Sequence, residues 1–170
     1  KRLDFSDVPE DMPFIEVMEK GYANGPRIHE FLKEMNREVL SKYDVVSIGE
    51  GPGVNLEHGP RYVSAAEKEL NMVFHFDHLT LDFGMEGKYD PVPYDFIRFK
   101  AIFKTWDEAL AQDGWNSIFL SNHDFSRIVS RFGNDREYHY ASATLLATVL
   151  MTLRGTPYIY QGDEIGMTNI

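Results

Sequence analysis

The sequence predicts an α/β fold, in which helices alternate with the strands of a parallel sheet. Apolar residues at helical spacing and short apolar or β-branched runs follow one another in the order helix–strand, four times over. Each of these strand candidates also ends in acids, amides or imidazoles, as parallel strands do where their carboxyl ends open onto a ligand site. A closed (β/α)8 barrel takes about 250 residues, so 170 residues are expected to form about half of a TIM barrel, with four helix–strand units.

The composition excludes several classes of partner. With 17 Lys and Arg against 27 Asp and Glu, the chain carries a net charge of −10, whereas nucleic acids and anionic membranes require basic patches. The apolar stretch at 141–153 is too short to span a bilayer. The absence of Cys excludes disulfides and a thiolate nucleophile and fits a reducing compartment. Since no signal peptide is visible either, we expect a cytoplasmic protein.

The amino-terminal part divides into a loop segment and the first helix. Residues 1–24 are acidic, contain two prolines and lack sustained periodicity, which predicts a loop. The remaining residues, 25–170, hold the helix–strand units. Pro26 is suited to the first position of a helix, which we expect to run to about Tyr43. One face of this helix is apolar, with Ile28, Phe31, Leu32, Met35 and Val39 at helical spacing.

The next part of the chain contains the first two strands. The β-branched run at 44–48 predicts a strand, and the Gly- and Pro-rich residues after it predict a loop that carries Glu50. A short helix is expected at 64–70. The apolar residues at 72–76 predict the second strand, which ends at Asp77.

The third unit contains the most regular helix pattern. A turn-rich loop at 84–93 precedes Asp95, which is a suitable N-cap residue. The helix that follows has an aromatic stripe typical of a core face, made of Phe96, Phe99, Phe103, Trp106 and Leu110. Residues 117–120 predict the third strand, which ends abruptly in polar residues, with His123 and Asp124 side by side.

The fourth unit is a long apolar helix and a strand. The residues from about Tyr138 to Arg154 are apolar on nearly every side, which predicts a buried helix. A glycine and a proline just after it end the helix. The strand expected at 156–160 is followed by amide and acid side chains, at Gln161, Asp163 and Glu164.

Several motifs resemble those of the α-amylase superfamily, glycoside hydrolase family 13. Phe-Leu-Ser-Asn-His-Asp at 119–124, with Arg127 after it, resembles a signature block of that family. The residues at 48–50 resemble the block that holds its general acid, and those at 155–167 resemble its last barrel strand and loop. Further motifs are similar to the α-glucosidase, oligo-1,6-glucosidase and trehalulose-synthase branch, at 24–26, 34–39 and 131–135. The resemblance covers nearly all of residues 20–170.

The resemblance implies a retaining α-glucosidase that acts on maltose- or isomaltose-type oligosaccharides, and it implies a role for each matching residue. Glu50 would be the general acid/base, and Asp124 would stabilise the oxocarbenium-like transition state. His123 would hydrogen-bond the sugar, and Arg127 would orient carboxylates and substrate. Asp77, at the end of the second strand, is expected to bind substrate too. No cofactor is expected in this stretch, while calcium is expected only in an N-terminal half outside it.

The catalytic nucleophile of the family is not found at its expected place. The family carries it in an Arg-x-Asp motif at the end of the fourth barrel strand. Arg-Leu-Asp at 2–4 has the same letters, but no strand pattern precedes it and the interval to Glu50 is short for the family. We therefore expect the nucleophile to lie before Lys1 and the isolated chain to be inactive.

Two departures from the family bear on the reaction. Sucrose isomerases of this branch have an Arg-Leu-Asp-Arg-Asp loop where this chain has Thr-Leu-Asp-Phe-Gly at 80–84, so hydrolysis is favoured over isomerisation. Phe125 and Ser126 replace a frequent Gln-Pro, which changes the wall on the aglycone side. The preference for α-1,4 or α-1,6 linkages stays open, because the deciding position lies beside the nucleophile.

A second function fits the same residues without catalysis. The chain would then be a half-barrel that binds sugar or only self-associates. Its sheet would have two open edges, at the strands expected at 44–48 and 156–160, and unpaired apolar edges favour association. We expect the isolated chain to form a dimer or a larger assembly through these edges.

A third function would require a metal ion. A metal-dependent hydrolase would use Asp77, His123 and Asp124 as ligands. His75 and His78 also stand near Asp77, but strand alternation places residues 75 and 77 on one face and points His78 away from them. We therefore predict packing for His75 and no metal site in this chain.

Overall fold

The computed structural model describes residues 8–9 and 11–170, which divide into two compact units. We call Lys1–Asn116 the N-unit and Ser117–Ile170 the C-unit. The described residues form six α-helices and six short strands, which confirms the α/β class. No helix among them is long and apolar enough to cross a membrane.

The described part of the N-unit contains four helices, a parallel strand pair and an antiparallel hairpin. Its helices are α1 (Phe14–Gly21), α2 (Ile28–Glu38), α3 (Gly59–Val63) and α4 (Phe96–Leu110). Its strands are β1 (Ile48–Gly51), β2 (Met72–His75), β3 (Phe83–Gly84) and β4 (Gly87–Pro91). β1 and β2 pair in parallel, with Glu50 opposite Phe74, and β3 and β4 form the hairpin.

The C-unit contains a second parallel strand pair and two helices. Its elements are β5 (Ser117–Ile118), α5 (Ile128–Phe132), α6 (His139–Thr152), β6 (Thr156–Pro157) and a 3-10 turn (Asp163–Ile165). Ser117 lies opposite Thr156 in the β5–β6 pair. The third and fourth strands are thus present where the sequence predicts them, although each is only two residues long.

Parallel pairing is confirmed in both units. β1 pairs with β2 and β5 pairs with β6, and in each pair the connection runs through a helix, as parallel strands require. The strand pairing described consists of two-stranded sheets. A half-barrel with four helix–strand units therefore stays a prediction.

The core of the N-unit is built around Trp106, whose side chain is fully buried. It belongs to α4, which begins at Asp95 as predicted: the Asp95 side chain accepts hydrogen bonds from the backbone N–H groups of Ile97 and Arg98. The predicted aromatic stripe is confirmed as the buried face of α4, except that Phe96 at its start is exposed. The core cluster around Trp106 consists of Val54, Tyr62, Val63, Val73 and Leu110.

Three other elements contact the Trp106 indole. A Cβ at Gly59, the first residue of α3, would lie 2.3 Å from a carbon of the indole ring, so glycine is needed there. The His75 ring of β2 stacks on the indole, and the Asp77 carboxylate accepts a hydrogen bond from its Nε1–H. A single side chain therefore holds α3 and the end of β2 against α4.

Two predictions for the amino-terminal part are corrected. The loop predicted for 1–24 is wrong for Phe14–Gly21, which form α1, while residues 1–7 and 10 lie outside the described residues. The first predicted helix is shorter than expected, because α2 ends at Glu38 and a 3-10 turn follows at Leu40–Lys42. No residue of α2 is buried, since its apolar face lines an open cavity.

The first strand is displaced from its predicted position. β1 covers Ile48–Gly51 rather than 44–48, and the two valines of the predicted run are exposed. The backbone N–H of Ser47 donates to the side-chain oxygen of Asn71 at 2.8 Å, and the Ser47 hydroxyl donates to the same oxygen. This contact joins two segments 24 residues apart just before β1, where the Ser47 carbonyl also accepts hydrogen bonds from the backbone N–H groups of Asn71 and Met72.

Two further predictions about local structure are wrong. No helix forms at 64–70, because Ser64 adopts an extended backbone with a ψ of 127° and Lys68 has a φ of +54°. The Ser64 hydroxyl donates instead to the Asp113 carboxylate. The segment predicted as a loop at 84–93 contains β4, which pairs with β3.

The last helix has the predicted extent but not the predicted burial. α6 covers His139–Thr152, and Leu150 is its only buried residue. Leu145 is 60% exposed and Met151 is 57% exposed. The apolar surface of α6 therefore exceeds what the described residues cover.

Candidate active site

Glu50 lies within β1 rather than in the loop after it, which corrects its predicted place. Because side chains alternate along a strand, Ile48 and Glu50 share one face while Gly49 and Gly51 share the other. The glycine face is packed: a Cβ at Gly49 would lie 2.7 Å from the Leu70 side chain. The glycines thus let β1 approach the core closely, while the Glu50 side chain remains exposed.

A tight turn at 51–54 follows Glu50 directly. The backbone N–H of Val54 donates to the Gly51 carbonyl at 3.0 Å, and Gly53 has a φ of +80°. With a proline before that glycine, this is the pattern of a type II turn. A Cβ at Gly53 would also lie 3.0 Å from the backbone N of Glu19 in α1. The turn needs glycine both for its conformation and for its contact with α1.

An open cavity of about 770 Å³ lies between α2 and β1. The apolar side chains of α2, including Phe31 and Met35, line one side of it. All four residues of β1 also belong to the lining, together with Val73 of β2. Among the described residues, β1 pairs with β2 alone. Glu50 is the only acidic residue among the described lining residues.

Asp77 begins a 3-10 turn at Asp77–Leu79, directly after β2. Its Oδ2 accepts a hydrogen bond from Trp106 Nε1 at 2.7 Å. Burial raises the pKa of Asp77, and the hydrogen bond from Trp106 opposes this shift. The carboxylate therefore helps to hold the core indole, and its predicted contact with substrate stays a prediction.

His75 packs in the core, as predicted. Its ring is fully buried and lies parallel to the Trp106 ring, with 4.0 Å between the centroids. Burial lowers the pKa of His75 well below its usual value, and the nearby His78 adds to this effect. Among the described residues, neither ring nitrogen of His75 has a hydrogen-bond partner. Within residues 8–9 and 11–170, no group of three or more His, Cys, Asp or Glu side chains is placed to hold a metal ion.

In the C-unit, His123 and Asp124 follow β5 and are exposed to solvent. His123 Nε2 and Asp124 Oδ2 lie 3.6 Å apart, which is too long for a hydrogen bond. The side-chain oxygen of Asn122 accepts a hydrogen bond from the backbone N–H of Asp124 at 2.9 Å, which fixes the turn. The two side chains are 70% and 53% exposed, so they are accessible to a ligand.

Arg127 connects the segment after β5 to the segment after β6. Its Nη1 donates to the Gln161 carbonyl at 2.7 Å, and its guanidinium lies 4.9 Å from the centre of the Tyr160 ring. Its backbone N–H donates to the Asn169 side-chain oxygen at 2.9 Å. The structure thus shows Arg127 holding two loops together, and its predicted role in orienting substrate stays a prediction.

Asp163 is a candidate that sequence reasoning treated only as a polar strand end. Burial raises its pKa, while the neighbouring Ser121 hydroxyl and the Arg127 guanidinium lower it. Asp163 and Glu164 line a small cavity of about 70 Å³, which is otherwise apolar and includes Leu150 of α6. Two adjacent acids after a glycine were the only sequence signal for this position, and they do not show that one of the acids is partly buried.

Comparison with known proteins finds a matching family model and several similar enzymes. The family model described as "Alpha amylase, catalytic domain" matches residues 2–170. The chain is 54% identical over 149 residues to the oligo-1,6-glucosidase of Parageobacillus thermoglucosidasius, which covers 88% of this chain and 26% of that enzyme. It is 49% identical over 175 residues to the oligo-1,6-glucosidase of Bacillus cereus, which covers 99% of this chain and 31% of that enzyme. The chain spans less than a third of these relatives.

Solved structures of similar enzymes also match this chain. The trehalose-6-phosphate hydrolase of Bacillus licheniformis matches with a TM-score of 0.82 at 47% identity, over 89% of this chain and 27% of that one. The isomaltulose synthase of Klebsiella sp. LX3 matches with a TM-score of 0.82 at 44% identity, over 85% of this chain and 26% of that one. Both a trehalose-6-phosphate hydrolase and an isomaltulose synthase are therefore similar to this chain.

Proposed function

Because the chain belongs to the α-amylase family, we propose that it forms the C-terminal half of the catalytic (β/α)8 barrel of a retaining α-glucosidase. The whole protein would hydrolyse α-glucosidic bonds of maltose- or isomaltose-type oligosaccharides. Relatives named oligo-1,6-glucosidase, at about half identity, support this substrate class. The two parallel strand pairs support a barrel with four helix–strand units in this part of the chain.

The placement of Glu50 carries the proposal. Its carboxylate projects from the carboxyl end of β1, where barrel enzymes hold their catalytic groups, and it is exposed at the edge of an open cavity. Glu50 would protonate the glycosidic oxygen as the bond to the sugar breaks. It would then take a proton from the water that releases the sugar from the enzyme.

The exposed side chains of His123 and Asp124 in the C-unit would bind the sugar. Asp124 would hold the hydroxyls of the sugar and favour its distorted, oxocarbenium-like state. His123 would donate a hydrogen bond to the same ring. Arg127 would keep the loop that carries them in place, in addition to its predicted contact with substrate. Asp77 would contribute mainly by fixing the end of β2.

The retaining mechanism also requires a nucleophile about 5 Å from the acid/base. Asp4 lies outside the described residues, and we propose that the nucleophile belongs to a strand of the whole protein that precedes this chain. Such a strand would cover the open edge of β1 and fill the cavity between β1 and α2. On this basis the isolated chain would be inactive.

A sucrose isomerase is the second candidate, because an isomaltulose synthase is among the similar structures. The segment at 80–84 argues against it. Sucrose isomerases of this branch carry two arginines there, whereas this chain has Phe83 in β3 and a buried Leu81. The segment at 80–84 therefore lacks both arginines of that loop, so hydrolysis is the better-supported reaction.

The remaining proposals concern partners. The isolated chain would self-associate through the open edge of β1 and the exposed apolar side chains of α6, since unpaired edges and apolar patches favour association. Calcium would be bound only in the N-terminal half of the whole protein. The acidic composition supports an enzyme that binds neither nucleic acid nor anionic membranes, and the absence of Cys supports a cytoplasmic one.

Substitution of Glu50 tests the proposed function. In the whole protein, Glu50→Gln removes the transferable proton and should lower kcat on maltose and isomaltose by about 10²–10⁴-fold. Glu57→Gln is the matched control, because Glu57 is an exposed acid of the same region that does not line the cavity. Equal activity of the Glu50→Gln and Glu57→Gln variants on both sugars would disprove the assignment.

A further inference from the structure

We propose that Asn24 is a positioning residue for Glu50, which acts by fixing the turn that follows β1. This inference rests on the proposed role of Glu50 as the acid/base. Asn24 belongs to the motif at 24–26, for which neither the fold prediction nor the proposed mechanism gives a reason. It lies between α1 and α2 and is partly buried.

The backbone of Asn24 is the first observation. Its φ is +54°, in the left-handed region that few residues other than glycine adopt. Asn and Asp tolerate this conformation better than other side chains, so the position is restricted. A conformation of this kind persists only where the surrounding structure fixes it, and such sites are enriched near functional groups.

The side chain of Asn24 is the second observation. Its Nδ2 donates to the Gly53 carbonyl at 3.3 Å, and its Oδ1 accepts a hydrogen bond from the Tyr62 hydroxyl at 3.0 Å. One contact requires the amide nitrogen and the other requires the oxygen, so both orient the amide in the same way. Asn24 therefore joins two segments that lie far from it in the sequence.

Tyr62 anchors this contact in the core. Its side chain is buried next to Val54 and Trp106 in the core cluster. Burial raises the pKa of Tyr62, so its hydroxyl stays protonated and keeps donating to Asn24. The position of the Asn24 amide is thus set by a side chain of the buried core.

Through its hydrogen bond to the Gly53 carbonyl, Asn24 fixes the turn at 51–54, which directly follows Glu50. Gly53 is the third residue of the turn at 51–54, and its Cα also lies close to the backbone of α1. The turn is therefore in contact with both α1 and Asn24. Glu50 precedes the turn by one residue, so a shift of the turn changes the direction of its carboxylate. An acid must lie within hydrogen-bond reach of the oxygen that it protonates, so this direction determines proton transfer.

The substitution Asn24→Asp tests the proposal in the whole protein. It keeps the shape, the tolerance for a positive φ and the acceptor for Tyr62, but it replaces the donor to Gly53 with an oxygen. Asn36→Asp is the matched control. Asn36 is also partly buried and its Nδ2 also donates to a backbone carbonyl, that of Glu69 at 3.2 Å, but it does not contact the Glu50 turn.

The readout is the dependence of kcat/KM on the leaving group. Cleavage of an unactivated phenyl α-glucoside needs the proton from Glu50, because phenolate is a poor leaving group. The dinitrophenolate of a dinitrophenyl α-glucoside leaves without that proton. Asn24→Asp should lower kcat/KM about tenfold or more on the phenyl substrate and less than about threefold on the dinitrophenyl substrate. Asn36→Asp should change kcat/KM by the same factor on both substrates, even if it lowers the melting temperature as much as Asn24→Asp does.

The possible outcomes separate this inference from the proposed function. Suppose that Glu50→Gln shows the leaving-group dependence but Asn24→Asp lowers kcat/KM by the same factor on both substrates. Asn24 then has only a structural role, and the inference is wrong. If Glu50→Gln itself shows no such dependence, the proposed function fails first. Tyr62→Phe gives an independent check, because it removes only the hydroxyl that orients Asn24. It should shift the leaving-group dependence in the same direction by a smaller factor.

Discussion

The two units hold their candidate side chains in different ways. In the N-unit, Glu50 lies in a strand that pairs residue by residue with β2 and is backed by the core around Trp106. In the C-unit, His123 and Asp124 lie in a turn that is fixed by side-chain contacts of Asn122 and Arg127. The geometry at Glu50 therefore depends on core packing, and the geometry at Asp124 depends on a few polar bonds.

This difference separates the expected effects of mutations. A change far from Glu50 can reach it through the core, because β1 pairs with β2, and β2, α3 and α4 contribute to the same buried cluster. A change near Asp124 should act on the loop alone and leave the N-unit intact. Each of the following substitutions tests one side of the comparison in the whole protein.

The largest effect on stability is expected for Trp106→Ala. Trp106 is fully buried, stacks on His75 and donates to Asp77, so its removal leaves a cavity and an unpaired carboxylate. The free energy of unfolding, measured by urea titration, should fall by about 3–5 kcal/mol. Trp115→Ala is the control, because Trp115 is 45% exposed and its loss should cost about 1 kcal/mol. Similar losses for both variants would show that the core is not centred on Trp106.

A smaller effect, limited to activity, is expected for Arg127→Met. The variant loses the bond to the Gln161 carbonyl and the contact with the Tyr160 ring. Because these contacts fix a loop that can open without global unfolding, the loss of a charged hydrogen bond, about 1.5–3 kcal/mol, should lower the population of the closed loop, so kcat/KM on maltose should fall about 10–100-fold. The urea midpoint should stay close to that of the control Arg136→Met, which removes an exposed arginine of the same unit. A large loss of stability without a change in kcat/KM would contradict the comparison.

The smallest effect is a pH dependence that belongs to His75. The pKa of His75 in the folded protein lies below that of the unfolded chain, which is about 6.5. As the pH falls below about 6.5, the unfolded state binds the proton first, so stability is lost at up to about 1.4 kcal/mol per pH unit. Above pH 7 both states are neutral and His75 adds no dependence.

His75→Phe isolates this contribution, because it keeps a ring against Trp106 and removes the titrating group. The urea midpoints of the two proteins should diverge between pH 7 and pH 5.5, with the wild type losing more. Parallel midpoints over this range would mean that His75 binds a proton while it is folded.

The sequence was most informative where short-range rules decide the structure. The helix α4 begins at its predicted N-cap and buries its predicted stripe, since both features depend on residues only three or four positions apart. The order of strands and the polar residues at their ends were also predictable. In each case the spacing alone contains the information.

The sequence was less informative where contacts between distant residues determine the position of an element. The position of β1 depends on the contact between Ser47 and Asn71, and the place of α2 depends on His29, whose Nδ1 lies 2.8 Å from Glu69 Oε2. No spacing rule links such partners. The same holds for α6, because a helix that is apolar on all sides predicts burial without stating what covers it.

Chemical rescue with azide tests the central claim, that Glu50 is the acid/base of a retaining reaction, most directly. In the whole protein, Glu50→Ala should still release the phenol of a dinitrophenyl α-glucoside, because that leaving group needs no proton. The sugar should then stay on the enzyme, since water is no longer activated. Added azide, which needs no base, should accelerate turnover and give α-glucosyl azide, with the configuration retained. No acceleration, or a β-glucosyl azide, would contradict the assignment of Glu50.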